Sequence, residues 1–181
     1  MYYFDVDGHK ILVLPILGVL EDIGNLMNYL GEIDDNIWFQ AIRFKEVYSL
    51  KHLLHSVIIG VRRFLKGENI SKKLHMEILL PLAGTRQIRE ALYVLKPQKG
   101  EPILALFIGL NVTQNKLLQI ANRVMENLGF IRRSLQEFVN ADCKLCKMIN
   151  ENMLNATLGK TLHEKLEKNI IMMSSLTYMK M

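Results

Sequence analysis

Residues 83–92, Ala-Gly-Thr-Arg-Gln-Ile-Arg-Glu-Ala-Leu, hold the side chains best suited to a charged ligand. The apolar run before them, 74–82, reads as a strand that passes into a turn at Gly84. Thr85 then N-caps a helix, with Arg86 and Gln87 in its first turn. A helix N-terminus presents free N–H groups and a partial positive charge. Arg86 adds a planar, permanently charged fork. Together they form a candidate phosphate site. Arginine in a first turn opposes the helix dipole, which argues against a purely structural placement.

Cys143-Lys-Leu-Cys146 has C-x-x-C spacing. Dithiol redox chemistry wants such a pair exposed at a helix N-terminus, where the neighbouring lysines would lower a thiol pKa. Zinc wants two further ligands, and there is no second cysteine pair. The expectation is two ordinary thiols on a helix. His52 and His55 lie three apart on one helix, beside Lys51, with no carboxylate or third histidine at ligand spacing. A solvated or polyanion-facing surface is expected there, and no metal. Walker, G-x-G-x-x-G, H-E-x-x-H and G-x-S-x-G patterns are all absent from the sequence. No catalytic constellation and no cofactor site is expected.

The elements that would position these groups follow from apolar spacing. Residues 9–19, 36–44, 74–82 and 102–110 read as strands, and a last strand is expected within 130–139. Residues 20–31 read as a helix stopped by Gly31. Ser49 caps a helix whose apolar positions Leu50, Leu53, Leu54, Val57, Ile58, Val61, Phe64 and Leu65 form one stripe. Helices are also expected over 83–96, from a Thr113 cap to about Leu128, and from Asp142 onward with breaks near Gly159. Strands separated by helices predict an α/β or α+β fold, a central sheet covered by helices, in one domain spanning 1–181 with terminal helices in 142–181.

Half of the 181 residues are hydrophobic and 23% are charged, which excludes a disordered or fibrous chain. The longest apolar run, Ile11 to Leu20, is about half of what a membrane span needs. The acidic start MYYFDVD and the two cysteines predict an unsecreted, cytoplasmic protein. Net charge is +5, distributed as −6 over 1–42, +8 over 43–99 and +3 over 100–181. The basic middle segment points to a polyanion or an acidic protein face. Ten methionines suit an adaptable binding surface. An exposed apolar patch is therefore expected on the helices after residue 140.

The stretch from Lys51 to Gly100 resembles the small tRNA-binding, kinase-binding subunit of the KEOPS complex. That is the family of the PRPK-binding protein and its archaeal and yeast counterparts. The residues carrying the likeness are Met76-Glu-Ile-Leu79 followed by Ala83-Gly-x-Arg-Gln-Ile-x-Glu-Ala91. Upstream, Lys51-His-x-Leu-His55 fits in position, and the order of elements over 9–128 also matches. The resemblance implies a non-catalytic subunit of a complex that places threonylcarbamoyl on the adenosine beside the anticodon of ANN-decoding tRNAs. It further implies binding to, and support of, a small kinase-like ATPase, and contact with the single-stranded CCA end of tRNA. The residues assigned to RNA are Gly84, Thr85, Arg86 and Gln87. Lys51, His52, His55, Lys72 and Lys73 are added by charge and by nearness in sequence. The alternatives are a small enzyme holding a phosphorylated metabolite at Arg86, or an adaptor whose basic patch meets an acidic protein.

Overall fold

A computed structural model describes residues 1–20, 22–135 and 138–178. Glu21 of the expected helix at 20–31, Gln136 and Glu137 of the expected strand at 130–139, and Met179, Lys180 and Met181 of the methionine-rich end lie outside the described residues. In chain order the elements are β1 (Tyr2–Val6), β2 (His9–Val19), β3 (Gly31–Asp34), β4 (Ile37–Arg43), α1 (Leu50–Leu65), α2 (Leu74–Glu77) and α3 (Leu79–Ala83). They continue as α4 (Ile88–Leu95), β5 (Ile103–Leu110), α5 (Gln114–Asn127), β6 (Ile131–Arg133), α6 (Lys144–Met148), α7 (Glu151–Ala156) and α8 (Leu162–Leu176). The expected mixture of sheet and helix is what the chain forms. It divides into two compact units, each visited three times. One is Met1–Phe44, Lys73–His75 and Lys96–Gln136; the other is Lys45–Lys72, Met76–Leu95 and Glu137–Met181.

The first unit holds an antiparallel sheet in the order β1-β2-β5-β4-β3, with β6 also paired to β2. The apolar runs at 9–19, 36–44 and 102–110 become β2, β4 and β5. Their side chains are buried on both faces, which explains runs that do not alternate. Phe39 and Phe107 face each other in register and stack at 4.8 Å between centroids. Helix α5, capped by Thr113 as expected, lays Leu117, Ile120, Ala121, Val124 and Met125 against Leu12, Phe39, Ala41, Ala105 and Phe107. Strand β1 was not foreseen, although Asp7-Gly8 is a hairpin signature. Both residues have positive φ, 52° and 83°, as a type I′ turn requires.

The expected helix at 20–31 does not form. Gly24–Asn28 makes a 3₁₀ turn and Gly31 opens β3. The apolar spacing of Ile23, Leu26, Met27 and Leu30 was helical, but Gly24, Asn25 and Asn28 are poor helix formers. The Asp22 side chain also accepts from Gly24 N at 2.8 Å, a local turn that competes with a helix.

The second unit is helical. Helix α1 begins after Ser49, whose hydroxyl accepts from His52 N, as expected. Tyr48, Cys143, Leu145, Cys146 and Ile170 form one buried cluster. Residues 74–82, expected as a strand, are instead helical, as α2 and α3. Every residue of α3 is buried. A helix buried all round has no polar face, so its sequence carries no 3.6-residue period and reads like a central strand. Pro81 sits in the first turn of α3, where its missing N–H costs nothing.

Candidate nucleic-acid interface

Gly84 is the C-cap of α3 and not a strand-to-helix turn. Its φ is +64°, with Gly84 N bonded to Pro81 O and Thr85 N to Leu80 O. This is the pair of bonds that closes a helix through a left-handed residue. Thr85 lies two residues ahead of the cap position. Ala91 N bonds to Gln87 O, so Gln87 caps α4, and Arg86 stands just outside the helix. The Thr85 hydroxyl accepts from Gln87 N at 3.2 Å and donates to Glu90 Oε2 at 2.6 Å. Lys144 Nζ pairs with the other Glu90 oxygen at 2.7 Å. Hydrogen bonds from Lys144 and then Thr85 hold the Glu90 carboxyl below the usual range. The loop is thus fastened from behind, while Arg86, Gln87 and Arg89 are exposed.

Sequence reasoning passed over Arg89 and Tyr93. They lie four apart on α4, one above the other. Tyr93 is 84% exposed. Among the described residues, no hydrogen bond or ion pair engages the side chains of Arg86, Arg89 or Tyr93. Cations beside an exposed aromatic are the parts that hold single-stranded nucleic acid, the cations on phosphate and the ring on a base. The arginine spacing and the tyrosine were both readable from the sequence once α4 was expected.

Helix α1 places its three candidates differently. Lys51 is exposed and pairs with Glu167 Oε2 at 3.0 Å, and Ser49 donates to Glu167 Oε1 at 2.7 Å. Burial opposes ionisation of Glu167, but the Ser49 hydroxyl and the Lys51 ammonium outweigh it and hold its pKa down. His52 is fully buried and does not reach the surface expected for it. Its Nδ1 accepts from Tyr48 N at 3.3 Å. Burial, aided by the nearby charge of His55, pushes its pKa down to about 3. His55 is half-buried, 2.9 Å from Ser175 Oγ, and burial pulls its pKa down as well. Sequence spacing put His52 and His55 on one polar face. Three residues of helix turn bring His52 instead beside Ser56 and Leu53 on the buried one.

Lys72 and Lys73 are exposed. The segment just before Lys72 is tied to Glu77, a buried carboxylate that accepts from Ile70 N at 3.0 Å and Ser71 N at 2.6 Å. Tyr178 OH donates to the same carboxylate at 2.8 Å, and Arg63 lies over its ring at 4.3 Å. After residue 140, apolar side chains do lie exposed. Leu158 is 87% and Leu162 63% exposed, and Met148, Met172 and Leu176 also face solvent. No group of three metal-ligating side chains gathers among the described residues, and none of their helices is long and apolar enough to cross a membrane.

The family model described as kinase binding protein CGI-121 matches residues 20–149, most of the chain. The KEOPS complex subunit Cgi121 of Pyrococcus abyssi is 33% identical over 57 residues, 32% of this chain and 33% of that relative's length.

Proposed function

The chain belongs to the CGI-121 family of kinase-binding proteins, and from that premise we propose that it is a non-catalytic subunit of a KEOPS complex. In this reading it binds the kinase-like ATPase subunit and supports its activity. It also holds the 3′ CCA end of tRNA, and it works in the cytoplasm. The observation that carries the RNA part is the exposed group of Arg86, Gln87 and Arg89 at the start of α4, with Tyr93 exposed one turn further along the helix. A phosphate fits the cations and the first N–H groups of the helix, and an unpaired terminal base fits the tyrosine ring. Lys72 adds general attraction. Lys51 is already paired to Glu167 and His52 is buried, so neither is a principal contact. The exposed Leu158 and Leu162 suit the kinase contact.

The test is a binding titration of wild type and Arg86→Glu against intact and CCA-less tRNA. Loss of one charged contact is worth about 1.5–3 kcal/mol, so the variant is expected to bind intact tRNA roughly ten- to hundredfold more weakly, with an unchanged circular dichroism spectrum. CCA-less tRNA is expected to bind wild type equally poorly, and binding is expected to fall with salt. A folded variant that binds intact tRNA like wild type sinks the Arg86 assignment. Indifference to the CCA end sinks the single-strand reading. The isolated chain is expected to hydrolyse no ATP; turnover abolished by Arg86→Glu would favour the phosphorylated-metabolite enzyme instead.

A further inference from the structure

We infer that Cys143 and Cys146 are a dithiol–disulfide site whose state sets how firmly the Gly84–Gln87 loop is held. Their Sγ atoms stand 2.7 Å apart, inside ordinary nonbonded contact, and both thiols are free and buried. Cys143 is the N-cap of α6, and its sulfur accepts from Cys146 N at 3.3 Å. Cys146 Sγ lies 3.5 Å from Asn140 O. A disulfide is about 2.05 Å long, so closure from 2.7 Å needs roughly 0.6 Å of approach.

The two residues between the cysteines are the ones that brace the loop. Lys144 Nζ pairs with Glu90, which in turn takes the Thr85 hydroxyl. Lys144 N donates to Glu46 Oε2 at 2.9 Å. Leu145 fills the space beside Gly84, where a Cβ would lie 2.5 Å from Leu145 Cδ2. A bond across Cys143 and Cys146 constrains the backbone that carries both braces. It therefore restricts the loop in front of them.

The co-reactant is a small-molecule disulfide such as glutathione disulfide. Cys146, the slightly less buried thiol, loses its proton and attacks one glutathione sulfur. A mixed disulfide forms, the glutathione S–S bond breaks, and the departing glutathione thiolate takes up a proton. The Cys143 thiolate then attacks Cys146 Sγ, forming the intramolecular bond and expelling a second glutathione. The protein loses two electrons and two protons, and glutathione disulfide gains them. Burial raises the pKa of both thiols, so the exchange is slow in the closed chain and proceeds as this segment opens.

The experiment uses the full chain, reduced and unfolded, then refolded in buffers of graded glutathione ratio, so that burial does not block access. Free thiols are trapped by alkylation and the intact mass is read, with circular dichroism as the folding control. The wild type is expected to convert with a single midpoint to a form two hydrogens lighter that takes up no alkylating agent. Cys143→Ser retains a capping oxygen and is expected to show no such form, as is Cys146→Ser. In the oxidised wild type, amide exchange over residues 84–87 is expected to slow severalfold relative to the reduced chain. Thiols that remain alkylatable across the whole series, or that stop as glutathione adducts, overturn the site. A disulfide that leaves exchange at 84–87 unchanged or faster overturns the coupling. These readouts need no RNA and no partner, and if a serine variant misfolds the wild-type mass and exchange data still decide.

Discussion

A buried neutral histidine makes the stability of this chain depend on pH. The unfolded chain protonates the His52 imidazole near pH 6.5, and the folded chain near 3. Between those values the unfolded state binds more protons, so stability is lost as pH falls through the window. From pH 6.5 to 5 this amounts to about 2 kcal/mol. His52→Asn keeps an acceptor for Tyr48 N and cannot titrate. It is expected to reduce, and not abolish, the pH dependence of the denaturation midpoint between pH 7 and 5, whatever it does to stability at pH 7, because burial also lowers the pKa of His75, to about 4, and of His55. Parallel pH curves for the two proteins would mean that other groups carry the dependence. The same residue shows what spacing alone misjudges. His52 and His55 are polar in sequence, but burial is set by the helix face, and α1 turns His52 inward with Leu53, Ser56 and Val57.

At the scale of elements, the α3–α4 corner carries the candidate site, and Gly84 is its hinge. An L side chain in the left-handed conformation costs about 1–2 kcal/mol. A methyl group here also meets Leu145, the brace on α6. Gly67 supplies the control, since its φ is +68° and a Cβ there meets nothing within 4 Å. Gly67→Ala is expected to cost only that conformational penalty of about 1–2 kcal/mol, and Gly84→Ala distinctly more. Both are read as a lower denaturant midpoint at unchanged slope. Equal losses at the two glycines would show that Leu145 yields freely. The motif Ala-Gly-x-Arg-Gln was legible as a candidate site, yet the elements on its N-terminal side were not. Leu79–Ala83 is wholly buried, and a wholly buried helix erases the periodicity by which helices are recognised.

At the scale of the molecule, each compact unit is assembled from three separate stretches of chain. The chain passes from one unit to the other five times, so each is tethered to the other by several covalent crossings. Protected amides in β5, such as Phe107, and in α3, such as Leu80, are expected to exchange through one global opening with free energies within about 1 kcal/mol. Two distinct opening energies would instead make the units separate folding domains. The apolar surface after residue 140 belongs to this scale too. Leu158→Lys with Leu162→Lys removes two exposed side chains that support no core. The pair is expected to leave thermal stability unchanged and to weaken pull-down of the kinase-like subunit at least tenfold. Retained binding would move the kinase contact to another surface.

The sequence by itself determined the elements whose burial pattern is written locally. The runs of β2, β4 and β5, the Ser49 and Thr113 caps, and the amphipathic stripe of α1 needed only nearest neighbours along the chain. It also determined the charge of the loop at 84–89, because Arg86 and Arg89 are exposed wherever a polar helix start is exposed. Tertiary structure decided the rest, since burial and pairing join residues far apart in sequence. Only packing made 74–83 helical, turned His52 into the core, set Lys51 against Glu167, and brought the C-x-x-C segment behind Gly84. The last of these joins residues about sixty positions apart, a distance over which apolar spacing along one stretch of chain carries no information about contact.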